Sequence, residues 1–167
     1  MRQQIYWIDL PMAGRLAIMA RPRAGDWLDD EISGWRAHGI DLVISLLEQE
    51  EVSELGLQRE ADLCQKQGME FLSFPIPDRG VPGSLRDAVA LAETVSTNIG
   101  EGRSVAVHCR AGIGRSSLIA ACALVCSGSD PAAAFAAITK ARGMNVPDTE
   151  GQRDWVTAFR EWAIAAR

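Results

Sequence analysis

The sequence predicts an α/β fold, with a mainly parallel central sheet, helices on both of its faces and a hairpin at its N-terminal edge. Three observations carry this expectation. Short, almost unbroken apolar runs at 41–47 and 104–108 have the length and composition of strands buried on both faces. Stretches with apolar residues three and four apart stand between and after them, which is the alternation of βαβ units. Two brief strand-like runs, 5–10 and 15–20, flank the turn Pro11-Met12-Ala13-Gly14.

The elements follow in order. Residues 27–37 have helical spacing and stop before Gly39, and the apolar run 41–47 is the first interior strand. Residues 50–67 are polar and read as one helix that Gly68 ends. A strand at 69–74 leads into a loop stiffened by Pro75, Pro77 and Pro82. Ser84 is a helix N-cap, after which Leu85, Ala88, Val89, Ala92, Val95 and Ile99 share one face until Gly100 and Gly102. The strand at 104–108 precedes an apolar helix at 118–126. Asp130-Pro131 opens another helix, and the last runs from about 149 to 166.

With 47% hydrophobic and 23% charged residues in a chain of 167, composition fits one domain spanning residues 1–167. A net charge of -5 argues against a general electrostatic hold on nucleic acid or an anionic membrane, so any anion site must be local. Asp9 interrupts the N-terminal apolar run, so neither a secretory signal nor a membrane span is readable, and a cytoplasmic protein is expected. Four cysteines without a CxxC pair, and two histidines, supply neither zinc spacing nor a disulfide framework. No metal and no other cofactor is expected.

One segment points to chemistry. His108-Cys109-Arg110-Ala111-Gly112-Ile113-Gly114-Arg115-Ser116 lies where a buried strand gives way to an apolar helix, the place where free amides and the helix dipole bind anions. A cysteine there has its thiolate stabilised by those amides, the dipole and Arg115, which makes it a nucleophile at neutral pH. Five residues between Cys109 and Arg115 let the loop close over a phosphate, with Arg110, Ala111, Gly112, Ile113 and Gly114 around it and the guanidinium fork on two oxygens. A lone cysteine is by default a small buried hydrophobe, and the nine-residue context outweighs that. The stretch from Gly112 to Ser117 approaches a dinucleotide fingerprint but lacks its third glycine and the strand that fold requires next.

HCRAGIGRS resembles the Cys-x5-Arg signature of the protein tyrosine phosphatase superfamily, and the short chain with its IPDRGVP stretch is similar to the small dual-specificity and kinase-associated branch. The resemblance runs from about residue 41 to 162. It implies a phosphocysteine intermediate and no metal. It further implies that His108 hydrogen-bonds backbone near Cys109 and supports the loop, and that Gln152 positions the hydrolytic water. Thr149-Glu-Gly-Gln152 reads equally as a capping box. The chain departs from the pattern at Ser117, where many members carry glycine, and at Asp148, near where relatives often have a glutamine.

A phosphate ester leaves poorly as an alkoxide, so a carboxylic acid must protonate the departing oxygen and then activate water. A right-handed crossover through the 84–100 helix places Asp78 on the same carboxyl edge as Cys109. The resemblance points to the same residue. Asp87, Glu48 and Glu150 are the rivals, Asp87 already being explained by its helix's first turn. Ser116 is placed to donate a hydrogen bond to the departing sulfur, and also to satisfy a helix amide. The function read from these residues is hydrolysis of phosphotyrosine or phosphoserine/threonine on proteins. A phosphatase for an inositol phosphate, nucleotide or RNA 5′ phosphate, and a phosphate-binding module without turnover, are the alternatives.

Overall fold

The computed structural model describes residues 3–165, in which five strands form one sheet in the order β1-β2-β5-β3-β4. β1 (Tyr6–Ile8) and β2 (Arg15–Ala20) make the expected antiparallel edge hairpin. β2, β5 (Ser104–Cys109), β3 (Leu42–Ser45) and β4 (Glu70–Ser73) run parallel. All six residues of β5 are buried, which is why its sequence alternates so little.

The two-residue period of the strands sorts two apolar layers. Leu16, Ile18, Ile44, Val105, Val107 and Cys109 belong to the layer under α4 (Leu85–Gly100), α5 (Arg115–Cys126), α6 (Pro131–Arg142) and α7 (Glu150–Ala165). Ala17, Met19, Val43 and Ala106 belong to the opposite layer, with Leu28, Ile32 and Trp35 of α1 (Leu28–Ala37) and Leu63 and Cys64 of α3 (Glu60–Lys66). Helices therefore cover both faces.

The helix expected at 50–67 is instead two: α2 (Gln49–Glu54) and α3. The chain turns at Gly56, at φ 66°, so that Leu57 can reach the apolar layer, where it is 2% exposed. The caps at Ser84 and Asp130 form as their sequences require, each side chain accepting an amide hydrogen three residues on. The last helix is described to Ala165, and residue 166 lies outside the described residues.

The apolar helix expected at 118–126 begins three residues earlier, at Arg115, and is buried from Arg115 to Val125. Leu118, Ile119 and Leu124 are each at most 2% exposed, and burying such side chains stabilises by roughly 1.5–3 kcal/mol apiece. The helix whose first turn carries the loop's arginine is thus the most completely buried among the described helices.

Candidate active site

Between the end of β5 at Cys109 and the start of α5 at Arg115 the chain must reverse tightly against the hairpin. Gly112 is at φ 69°, and a Cβ there would stand 2.6 Å from the Met19 backbone carbon. At Gly114 a Cβ would meet Asp148 Cβ at 2.9 Å and the Gln152 amide at 3.0 Å. Neither position has room for a side chain.

The loop's carbonyls are held from outside. The Arg110 carbonyl accepts from the Arg21 amide at 3.3 Å, and Gly112 accepts from Arg142 Nε at 2.9 Å. The second Arg142 contact, to the Ala111 carbonyl, is 3.5 Å. Arg142 reaches in from the last turn of α6, its guanidinium 4.2 Å over the Tyr6 ring. These contacts give three of the loop's carbonyls hydrogen-bond partners and brace its shape. The N-terminal hairpin and the residue that follows it thus supply Tyr6 and Arg21 to this support.

The loop floors a cavity of about 210 Å³ lined by Cys109, Arg110, Ala111, Gly114 and Arg115, with Asp78, Arg79 and Asp148. Cys109 is 3% exposed, and its Sγ lies 3.3 Å from Ser116 Oγ, so that hydroxyl sits behind the sulfur and not in the cavity. Gly112 is buried against β2, and Ile113 packs against the apolar layer. Of the four carboxylates considered from sequence, Asp78 alone lines the cavity. The second acid there is Asp148.

Arg115 is 2% exposed and almost fully committed. Its Nη1 donates to Glu51 Oε1 at 2.6 Å and to the Ile76 carbonyl at 2.9 Å, while Nη2 donates to Glu51 Oε2 at 2.9 Å and Asp78 Oδ1 at 3.2 Å. Burial opposes the charge on both partners, yet the pairing outweighs it. Arg115 is raised above the ordinary guanidinium value, and Glu51 is held at about 2, chiefly by Arg115 and then by the Glu48 amide. The end of the guanidinium expected to grip phosphate is therefore occupied by Glu51. The Nε and Nη2 edge is what remains for a ligand, once Asp78 yields its hydrogen bond.

Glu51 is the residue that sequence reading missed. The nearest signal was Glu48-x-x-Glu51 at the start of α2, a capping box in which the Glu48 amide donates to Glu51 Oε1 at 3.1 Å. Arg110 also leans on Glu51 Oε2 at 3.3 Å and on Glu54 at 3.4 Å.

Two expectations are corrected. His108 does not hydrogen-bond the backbone near Cys109: strand alternation turns it to the opposite layer, where Nε2 pairs with the buried Glu60 at 2.5 Å and Nδ1 has no partner among the described residues. Gln152 does not line the cavity. It is wholly buried, with Oε1 accepting from the Asp148 and Thr149 amides at 3.0 and 3.2 Å and Nε2 donating to the Gly80 carbonyl at 3.0 Å. The capping box at Thr149 forms, and Gln152 ties α7 to the turn that carries Asp78.

None of the four cysteines is in a disulfide. Burial, with Glu60 adding to it, pushes the Cys64 thiol up to about 12, and burial, with Cys126 adding to it, holds the Cys122 thiol well above its ordinary value. Among the described residues no three His, Cys, Asp or Glu side chains gather as a metal site, and no helix is long and apolar enough to cross a membrane.

The arrangement can hold a phosphoryl group against a sulfur, with a carboxyl group at the mouth. Comparison with known proteins agrees in kind. The model of Tc-R-P, the DSP-PTPase phosphatase of polymorphic toxin systems, matches residues 17–129. Cyclin-dependent kinase inhibitor 3 of Rattus norvegicus is 29% identical over 128 residues, covering 75% of this chain and 60% of that protein. Protein tyrosine phosphatase domain-containing protein 1 of Bos taurus is 30% identical over 144 residues, 81% of this chain and 18% of that protein. The chain thus spans three fifths or less of the length of these relatives. In fold, the crystal structure of kinase associated phosphatase superposes with a TM-score of 0.89 at 23% identity, covering 99% of this chain and 98% of that one.

Proposed function

The chain belongs to the DSP-PTPase phosphatase family of polymorphic toxin systems, and from that premise we propose that it hydrolyses phosphate monoesters through Cys109, as one domain and without a metal. The observation that carries the proposal is the shared cavity, in which the Cys109 sulfur, the Arg115 guanidinium and the Asp78 carboxylate meet.

In this reading the phosphoryl group enters on the loop amides and displaces Asp78 from Arg115 Nη2. The Cys109 thiolate attacks phosphorus in line, and Asp78, protonated, gives its proton to the leaving oxygen. Asp78 as carboxylate then takes a proton from the water that attacks phosphocysteine, while the Ser116 hydroxyl, 3.3 Å from Sγ, donates to the departing sulfur. Arg115 and the loop amides stabilise the charge that spreads over the equatorial oxygens. Gln152 acts at one remove, by fixing the Gly80 carbonyl and so the turn at Asp78.

Phosphorylated proteins are the proposed substrates, on tyrosine or on serine and threonine; the name of the Bos taurus relative, a protein tyrosine phosphatase domain-containing protein, favours the first of these. The test is aryl phosphate hydrolysis in EDTA from about pH 5 to 8 by wild type, Cys109→Ser and Asp78→Ala. The expected result is wild-type turnover, none in Cys109→Ser, and in Asp78→Ala a loss of about 10²–10⁴-fold together with the basic limb of the profile. Turnover surviving in Cys109→Ser sinks the mechanism, and a wild type that binds phosphate without turnover makes the protein a binding module.

A further inference from the structure

Three arginines line the cavity, and two of them are neutralised. Arg115 faces Glu51 and Asp78, and Arg110 faces Glu51 and Glu54. Arg79 is exposed at the mouth and forms no ion pair with any described residue. In a protein of net charge -5 it is a cation left without a countercharge beside an anion pocket.

Its backbone adds a second observation. Arg79 is the one non-glycine residue among those described with a positive φ, at 59°, a conformation that costs an L-residue and is concentrated at functional sites. The turn is held in that shape from both sides: the Gly80 amide donates to the Pro77 carbonyl at 2.8 Å, and buried Gln152 holds the Gly80 carbonyl. The cation is thus carried on a braced turn next to Asp78, in a place where glycine would fit the backbone better.

We propose that Arg79 is a specificity residue that binds a second anionic group on the substrate, next to the phosphomonoester held over Cys109. The inference rests on the phosphatase reading of the same cavity. The recognised chemistry is a carboxylate or second phosphate within one guanidinium's reach of the reacting phosphoryl. It is supplied either by acidic residues flanking a phosphorylated side chain or by a small bisphosphate. Asp148, the exposed acid on the cavity outside the turn, has the opposite sign and opposes the same group.

The test compares kcat/KM within two substrate pairs, for wild type, Arg79→Gly, Arg79→Lys and Asp148→Asn. One pair is a phosphotyrosyl peptide with neutral or glutamate flanks, and the other is a sugar monophosphate and its bisphosphate. Wild type is expected to prefer the more anionic member of one pair, and that pair identifies the source. In Arg79→Gly the preference ratio falls about fivefold, the scale of an exposed charge contact. It survives in part in Arg79→Lys and rises in Asp148→Asn. In about 1 M salt, where the screening length is about 3 Å, the wild-type preference shrinks toward that of Arg79→Gly. A ratio equal in wild type and Arg79→Gly for both pairs overturns the proposal. Because each readout is a ratio of two turnover rates, absence of any wild-type turnover instead overturns the phosphatase reading.

Discussion

Two carboxylates hold the same guanidinium under opposite conditions. Glu51, on α2, is 9% exposed and meets both terminal nitrogens of Arg115 at 2.6 and 2.9 Å. Asp78, on the turn after β4, is 61% exposed and meets Nη2 once, at 3.2 Å. The first is a fixture and the second is exchangeable. A bidentate, dry ion pair aims the cation permanently, whereas a single wet contact can be traded for a ligand oxygen at small cost. One arginine can thereby be both rigidly placed and open to phosphate.

The largest break in this comparison is expected from Glu51→Ala, which leaves Arg115 buried and unpaired. It should cost about 3–5 kcal/mol in urea unfolding and abolish measurable vanadate binding. Were stability and binding both to stay near wild type, the pair would not be what aims the cation. Next comes Asp78→Asn, whose unfolding free energy should change by no more than about 1 kcal/mol while turnover falls about 10²–10⁴-fold. A large loss of stability in this variant would make the turn a structural element like α2.

pH tests the Glu51 contact directly. Glu51 has its folded value lowered to about 2, below its ordinary 4.5, so its contribution to stability is complete above about 4.5 and is lost as pH falls toward 2. Urea midpoints between about pH 6 and 2.5 should therefore fall in wild type, and a smaller decline is expected in Glu51→Gln. Equal slopes would remove Glu51 as the cause. The smallest effect belongs to Arg110→Ala. Its contacts to Glu51 and Glu54, at 3.3 and 3.4 Å, are half-exposed, so less than about 1 kcal/mol of stability should be lost, as denaturant titration can check.

What the sequence made legible follows from how local each feature is. The stretch from His108 to Ser116 is contiguous, and a strand, a glycine loop and a helix start can be read from neighbours alone. The hairpin and the capped helices at Ser84 and Asp130 are local in the same way. Asp78 required one tertiary rule, the handedness of a crossover. Glu51 required more, because its partner is 64 residues away and its own neighbourhood looks like any solvated first turn. Glu60 was hidden for the same reason, being 48 residues from His108 on the far side of the sheet. Arg142, at the end of α6, reads as an ordinary favourable charge at a helix C-terminus. The polar stretch 50–67 misled because helical composition does not show that Leu57 must leave the surface.

The crowding around Arg115 also bears on the thermodynamics of ligand capture. A long side chain free in solution samples many rotamers, and immobilising an arginine costs about 2 kcal/mol in lost freedom. Here the acceptors on Glu51, Ile76 and Asp78 have already removed that freedom when the chain folds. In the proposed reaction an arriving phosphoryl group would meet a cation that is already still, so little of its binding enthalpy would be cancelled by ordering the protein.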